Sequence, residues 1–259
     1  MLPKNKHYRE ESVFKPENLL REARRQKRLG DCMIPEVCIL DPDGDIVKYL
    51  RKKRLLLKSK CWACYHTELY TFKYRNQEFG IVGCVVGSSF AVLVAEELFV
   101  SGCRLLISIT SAGGIEMLHN STRFMLIEKA IRDEGTSSHY LKHSLFSSIN
   151  KRLLSGIMKV LPDIKKGITW TTDGPFRETK SKIEYAKSKG AIAVEMEASA
   201  LYAFAEARKK KVVCIAHITN SMGQTENDFE KGPEKGSINS LDITCRITKI
   251  LKKRRIGAF

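Results

Sequence analysis

The sequence predicts an α/β fold built as a single domain, and three observations carry that prediction. From Val37 onward, short apolar runs alternate with amphipathic ones, which is the pattern of strands alternating with helices. Runs such as RLLISITS (104–111) are apolar without alternation, as suits a central strand covered on both faces. The 259 residues fit one large core, and neither an internal repeat nor a Pro/Gly-rich linker divides them.

Taken in order, residues 16–28 read as a helix within a basic N-terminal helical segment, 1–36, that precedes an α/β domain over 37–259. Strands are expected at 37–41, 69–75, 80–86, 104–111, 123–131, 191–196 and 211–219. Helices are expected at 46–57, 89–101, 145–160, 179–189, 197–209 and 239–254, with Ser88/Ser89 and Thr179 as caps. The polar, Gly-rich stretch 221–238 reads as a long loop, either a mobile flap or an exposed excursion.

Charge is the most obvious bias in composition. Lys and Arg number 45 against 29 Asp and Glu, a net +16. The excess is held in clusters at 21–28, 51–60, 208–211 and 252–255. Such runs can track phosphates, yet no interleaved aromatics and no helix-turn-helix, RRM or finger pattern accompany them, so they read as solvated faces and nucleic acid is not an expected partner. No apolar stretch of about 18 residues exists and the first residues lack a signal-peptide core. Neither a membrane span nor export is expected, and a cytoplasmic location is.

Cysteines and acidic clusters raise metal chemistry, which the spacing does not support. The eight cysteines are expected to be reduced thiols, with Cys38, Cys84, Cys103 and Cys214 inside apolar runs. Cys61-Trp-Ala-Cys64, with His66 nearby, has half of a zinc pattern but no second half, so these read as structural cysteines. Asp41-Pro-Asp43-Gly44-Asp45 starts like a calcium loop, but its Gly falls too early and Lys52 stands where the bidentate Glu belongs. No metal is expected.

Three segments carry ligand chemistry. Val86-Gly87-Ser88-Ser89 and Thr110-Ser111-Ala112-Gly113-Gly114 place small residues after strands, where backbone N–H groups can meet an anion or a hydroxyl-rich ligand. Neither has the spacing of a P-loop or of a dinucleotide fingerprint. In Ala193-Val-Glu195-Met-Glu197-Ala-Ser-Ala-Leu201, two carboxylates flank a Met where an apolar strand gives way to an Ala-rich helix. One can partner the helix N-terminus, leaving the other to bind ligand hydroxyls.

The stretch Val194 to Leu201 resembles the signature of the nucleoside phosphorylase superfamily, which includes uridine phosphorylases, hexameric purine nucleoside phosphorylases and adenosylhomocysteine nucleosidases. Other segments follow in that family's order: GSSFAVLVAEEL (87–98), ISITSAGGI (107–115), AIRDEGTSSHY (130–140) and TTDGPFRET (171–179), the last uridine-phosphorylase-like. The resemblance covers about 37–220. It implies a mixed central β-sheet flanked by helices in a three-layer sandwich, a nucleoside as small-molecule substrate, and a homo-oligomer, dimer or hexamer. It places Met196 and Glu197 on the ribose, with Glu197 as the catalytic carboxylate steadying an oxocarbenium-like transition state. Glu195, Gly87 and Ser111 fall in the substrate site, Phe176 and Arg177 at the base, and Asn220 where purine-cleaving members have a protonating Asp.

The implied reaction is cleavage of an N-glycosidic bond by phosphorolysis, with no cofactor and orthophosphate as co-substrate. This is a glycosyltransferase (pentosyltransferase) activity of nucleoside salvage. An amide at Asn220 cannot serve as a general acid, which favours a pyrimidine, uridine-like nucleoside. The family's phosphate arginines match Ser108 and the neighbourhoods of Ile46 and Thr67, none of them Arg. Arg75 or Lys73 would have to replace them for phosphorolysis. Hydrolysis, or nucleotide binding without catalysis, are the alternatives.

Overall fold

The computed structural model describes residues 7–115, 123–222 and 228–252. The chain begins with α1 (Pro16–Lys27), whose Leu20 and Ala23 are buried with Ala63. It continues through β1 (Val37–Asp41), α2 (Asp45–Lys52), β2 (Leu57–Lys58), β3 (Tyr70–Tyr74), β4 (Gln77–Gly83) and α3 (Ser88–Val100). Next come β5 (Leu105–Gly114), β6 (Phe124–Asp133), α4 (Ser137–Tyr140), β7 (Phe146–Ser148) and α5 (Lys151–Val160). The last elements are β8 (Lys165–Thr172), α6 (Lys180–Ser188), β9 (Ala191–Glu195), α7 (Ala198–Ala207), β10 (Val212–Asn220) and α8 (Ser237–Lys252).

These strands form one mixed sheet flanked by helices, as expected, in the order β10-β6-β8-β9-β5-β1-β4-β3-β2, with β7 on β6. β5 is its hub. It runs parallel to β1 and to β10, and its last two residues turn antiparallel to β9 through Gly113–Val194 and Gly114–Ala193. Because β10, β6, β8 and β9 are themselves consecutive neighbours, that short crossing closes five strands into a barrel. Gly113 packs tightly at the crossing: a Cβ there would lie 3.0 Å from the Met222 Sδ and 3.3 Å from Val194, so these side chains would have to give by a few tenths of an ångström. Asn220 pairs with the other side of Gly113, so the ends of β5, β9 and β10 meet at one place.

Burial explains why these runs are strands. Every residue of β1 is buried, as are the first six of β5, so both faces are covered by helices. The Tyr202 hydroxyl on α7 donates to the Ile127 carbonyl on β6 and accepts the Cys214 N–H of β10, tying the helix to two strands.

Several expected elements change. The helix expected over 145–160 divides into β7 and α5, with Asn150 accepting the N–H groups of Arg152 and Leu153. The helix over 46–57 stops at Lys52, and Leu57 begins the edge strand β2. β8 was not expected at all, and Thr110 to Gly114, read as a turn, continue β5. The reading of all cysteines as reduced thiols is corrected by a Cys32–Cys61 disulfide, which fastens the segment after α1 to the loop after β2. Ser88/Ser89 and Thr179 make no capping bond to their helices. The loop expected over 221–238 lies in part outside the described residues.

Candidate active site

Where β9 ends, the two glutamates part company. The Glu195 carboxylate is wholly committed to the protein. One oxygen accepts the N–H groups of Glu197 and Ala198, each at 2.7 Å, capping α7. The other accepts the hydroxyls of Thr169, at 3.0 Å, and Thr171 on β8. It is the helix N-terminal partner that the sequence allowed for, stabilised there by the aligned peptide dipoles. Burial still pushes its carboxyl up from the ordinary range, against those hydrogen bonds.

Glu197 instead reaches across the sheet. One oxygen accepts the Gly87 N–H at 2.7 Å and the other the Thr110 hydroxyl at 2.8 Å. Its residue is 1% exposed, and burial, with the Glu195 charge beside it, pushes its carboxyl up to about 8. Once ionised, the carboxylate has about four lone-pair directions, of which two remain for sugar hydroxyls. Gly87 makes this contact from a φ of 91°, a conformation that side chains resist, at the mouth of α3. The neighbouring Ser88 hydroxyl donates to the Met196 carbonyl at 2.7 Å, locking the Met196–Glu197 turn to the same helix start.

The third member is Ser111, which follows Thr110 on β5. Its N–H donates to the Asp43 carboxylate at 3.1 Å, and its hydroxyl donates to the same oxygen. Asp43 also faces Lys231, whose Nζ lies 3.5 Å from it and 2.6 Å from Asp45. Lys235 stands 3.3 Å from Asp45. Burial would raise the Asp45 carboxyl, but these two lysines outweigh it and hold it below the usual range. His217 on β10 stacks on Phe124 with ring centres 4.2 Å apart. Burial, then the Lys231 and Arg123 charges, lower its pKa to about 4, so it is neutral at pH 7.

Glu195, Met196, Glu197, Gly87 and Ser111 are thus brought together. Asn220 sits beside Gly113 at the strand crossing, its side-chain oxygen accepting the Met222 N–H at 2.9 Å. Phe176 and Arg177 are not part of this cluster: they lie on a 3-10 turn, Pro175–Arg177, with Phe176 99% exposed. That turn is anchored to the β6 exit, where the Asp173 carboxylate accepts the Gly135 N–H. The arginine substitutes do not reach Ser111 either. Arg75 pairs with Asp242 on α8 at 2.9 Å, and Lys73 is exposed on β3. Ser108 and Ile46 are buried, and the Thr67 hydroxyl accepts the Trp62 indole N–H.

Sequence reasoning missed the site roles of Asp43, Lys231 and the Thr169/Thr171 pair, and named Thr110 only as part of a ligand-facing turn. The alternating threonines of ITWTT (168–172) are a same-face signal that was available; nothing in the sequence links Lys231 to a carboxylate 188 positions earlier.

Residues 36–249 match the family model of the phosphorylase superfamily. A viral relative, Uncharacterized protein R802 of Acanthamoeba polyphaga mimivirus, is 31% identical over 136 residues, 52% of this chain and 53% of the relative, so the match spans about half of its length. Purine nucleoside phosphorylase DeoD-type 1 of Shewanella oneidensis is 24% identical over 61% of this chain and 70% of its own. Among solved structures, purine nucleoside phosphorylase from Toxoplasma gondii in complex with immucillin-H superposes with a TM-score of 0.71 at 18% identity, covering 86% and 93% of the two chains. Uridine phosphorylase from Vibrio fischeri gives 0.67 at 21%, covering 85% and 92%. The 5'-methylthioadenosine/S-adenosyl homocysteine nucleosidase from Campylobacter jejuni gives 0.63 at 18%, covering 85% and 100%. At these identities the structures establish a shared fold, and the match over residues 36–249 establishes descent: the chain belongs to the phosphorylase superfamily.

Proposed function

We propose that this protein cleaves the N-glycosidic bond of a nucleoside and that water is the nucleophile. Asp43 carries the reading: its carboxylate accepts both the Ser111 N–H and the Ser111 hydroxyl, and among the described residues no arginine is bonded there. An anion already held on those donors repels orthophosphate and is placed to accept a proton from water. Glu197, with Met196 beside it, takes the sugar hydroxyls; its ionised form, a minority at pH 7 that reaches half near pH 8, steadies positive charge at C1' as the bond to the base breaks. Water then adds to C1', its proton passes to Asp43, and from there it reaches the departing base. The products are free base and free sugar. Asn220 offers an amide to a base carbonyl and no acid, which favours a uracil-type leaving group over a purine.

The test is a panel of uridine, thymidine, inosine, adenosine and methylthioadenosine, with and without orthophosphate, following base and sugar products separately. Uridine leading the panel, with free ribose formed at a rate indifferent to phosphate, is the expected result. Sugar 1-phosphate formed in proportion to added phosphate overturns the choice of water. No turnover of any member overturns the enzyme reading.

A further inference from the structure

A cavity lies at the opposite end of the barrel strands from Glu197. It has a volume of about 770 Å³ and sits between α5, the C-terminal end of α7, the start of β10 and the end of α8. Its rim brings together two basic runs that are far apart in sequence: Lys151, Arg152 and Lys159 from α5, and Lys209, Lys210 and Lys211 from the α7–β10 connection. Among the described residues, Glu206 is the one carboxylate in the lining. Among the described residues, no carboxylate forms an ion pair with Lys151, Arg152, Lys159 or Lys209. The floor is apolar, with Leu153, Val160, Ile250 and Leu251.

We infer that this cavity binds a nucleoside di- or triphosphate, its base on the apolar floor and its phosphates on the lysine and arginine rim. The volume lies within the roughly 300–1,000 Å³ of small-molecule sites. Four cations with no ion-pair partner among the described residues, gathered around one opening with a single described carboxylate, match a polyphosphate, and Arg152 adds a bidentate fork. A single-stranded nucleic acid wants an open track with exposed rings for stacking. Among the described lining residues the one aromatic, Tyr202, is 1% exposed and has its hydroxyl engaged in the core. The site is distinct from the Glu197 cluster: neither Gly87 nor Thr110, which hold the Glu197 carboxyl, lines it, and its α7 residues Ala205 and Glu206 lie at the far end of the helix that Glu197 opens.

Binding of ATP to the full chain, measured by titration calorimetry, tests the inference, with adenosine, inorganic tripolyphosphate and single-stranded RNA as comparisons. ATP is expected to bind at least about tenfold tighter than adenosine or tripolyphosphate, since each supplies half of the contacts. The double variant Lys151→Ala/Lys209→Ala is expected to raise the ATP Kd by about tenfold. Gly156→Leu, which fills the floor beside Ile250, is expected to weaken ATP and leave tripolyphosphate unchanged. Glu197→Gln is expected to leave ATP binding untouched. Loss of ATP binding in Glu197→Gln, indifference to both cavity variants, equal binding of tripolyphosphate, or tighter binding of RNA each overturns the inference. Thermal unfolding of each variant confirms that it is folded.

Discussion

Replacing Glu197 by Gln isolates the energetics of the site in one atom pair. The Glu197 carboxyl, at about 8 in the folded protein against an ordinary 4.5, binds a proton more tightly when folded than when unfolded. Between those two values the folded state therefore holds a proton that the unfolded state has released, and stability falls as pH rises. The cost is near 1 kcal/mol at pH 5 and approaches about 4 kcal/mol at pH 8, where half the folded molecules are ionised. Gln carries no such cost and fits the same bonds. Its oxygen can accept the Gly87 N–H, and its amino group can donate to Thr110, whose hydroxyl also lies 3.2 Å from the Ser111 carbonyl and can turn to donate there. The variant's advantage should therefore grow by about 3 kcal/mol from pH 5 to pH 8, on the order of 10 °C in Tm for a chain of this size. Scanning calorimetry of both proteins at half-unit pH steps measures it, with groups common to the two cancelling. Turnover should meanwhile drop by about 100-fold or more. Parallel Tm curves over the whole range would refute the burial argument.

Four other perturbations follow from the same contacts. Asp43→Asn keeps a hydrogen-bond acceptor for Ser111 but removes the base, so kcat should fall by about 100-fold with KM little changed; a shift confined to KM would count against the proposed role. Lys231→Met leaves the buried Asp45 with Lys235 and Lys48 alone and should cost about 2 kcal/mol in urea unfolding, whereas an unchanged midpoint would mean the pair contributes nothing. Gly87→Ala meets no atom within 4 Å but must hold a φ of 91°, so a loss of about 1–2 kcal/mol is expected from backbone strain alone. Cys61→Ser opens a crosslink spanning 29 residues and should cost about 3 kcal/mol; the same loss should appear in the unsubstituted protein on adding reductant.

Much of the fold was legible because the buried strands are written as apolar runs. Val37–Asp41, Leu105–Gly114 and Val212–Asn220 are central strands with both faces covered, and their sequences need no partner to be recognised. Lys165–Thr172 was hidden because two lysines and a glycine open it, and only its last four residues are buried. Phe146–Ser148 was absorbed into the helix that follows because three residues cannot show a period of two. The division of labour between Glu195 and Glu197 was foreseen as chemistry, a cap and a free carboxylate. Which was which depended on Thr169, Thr171, Gly87 and Thr110, brought in by three other elements. Asp43 was visible in the sequence only as a broken calcium loop. Its true neighbour, Ser111, lies 68 positions away, and the pairing of β1 with β5 is what brings them together.

The carboxylate seated on Ser111 also bears on the direction of the proposed chemistry. Transfer of a sugar to phosphate conserves most of the energy of the glycosidic bond and runs readily backwards, so its flux answers to the supply of phosphate and free base. Transfer to water gives a sugar with no activated carbon, in a solvent that is always in excess. With Asp43 in that place, such a reaction has no practical return path: the protein would act as a one-way valve on its nucleoside, draining the pool whatever the phosphate level and depending on separate, energy-requiring steps to rebuild it.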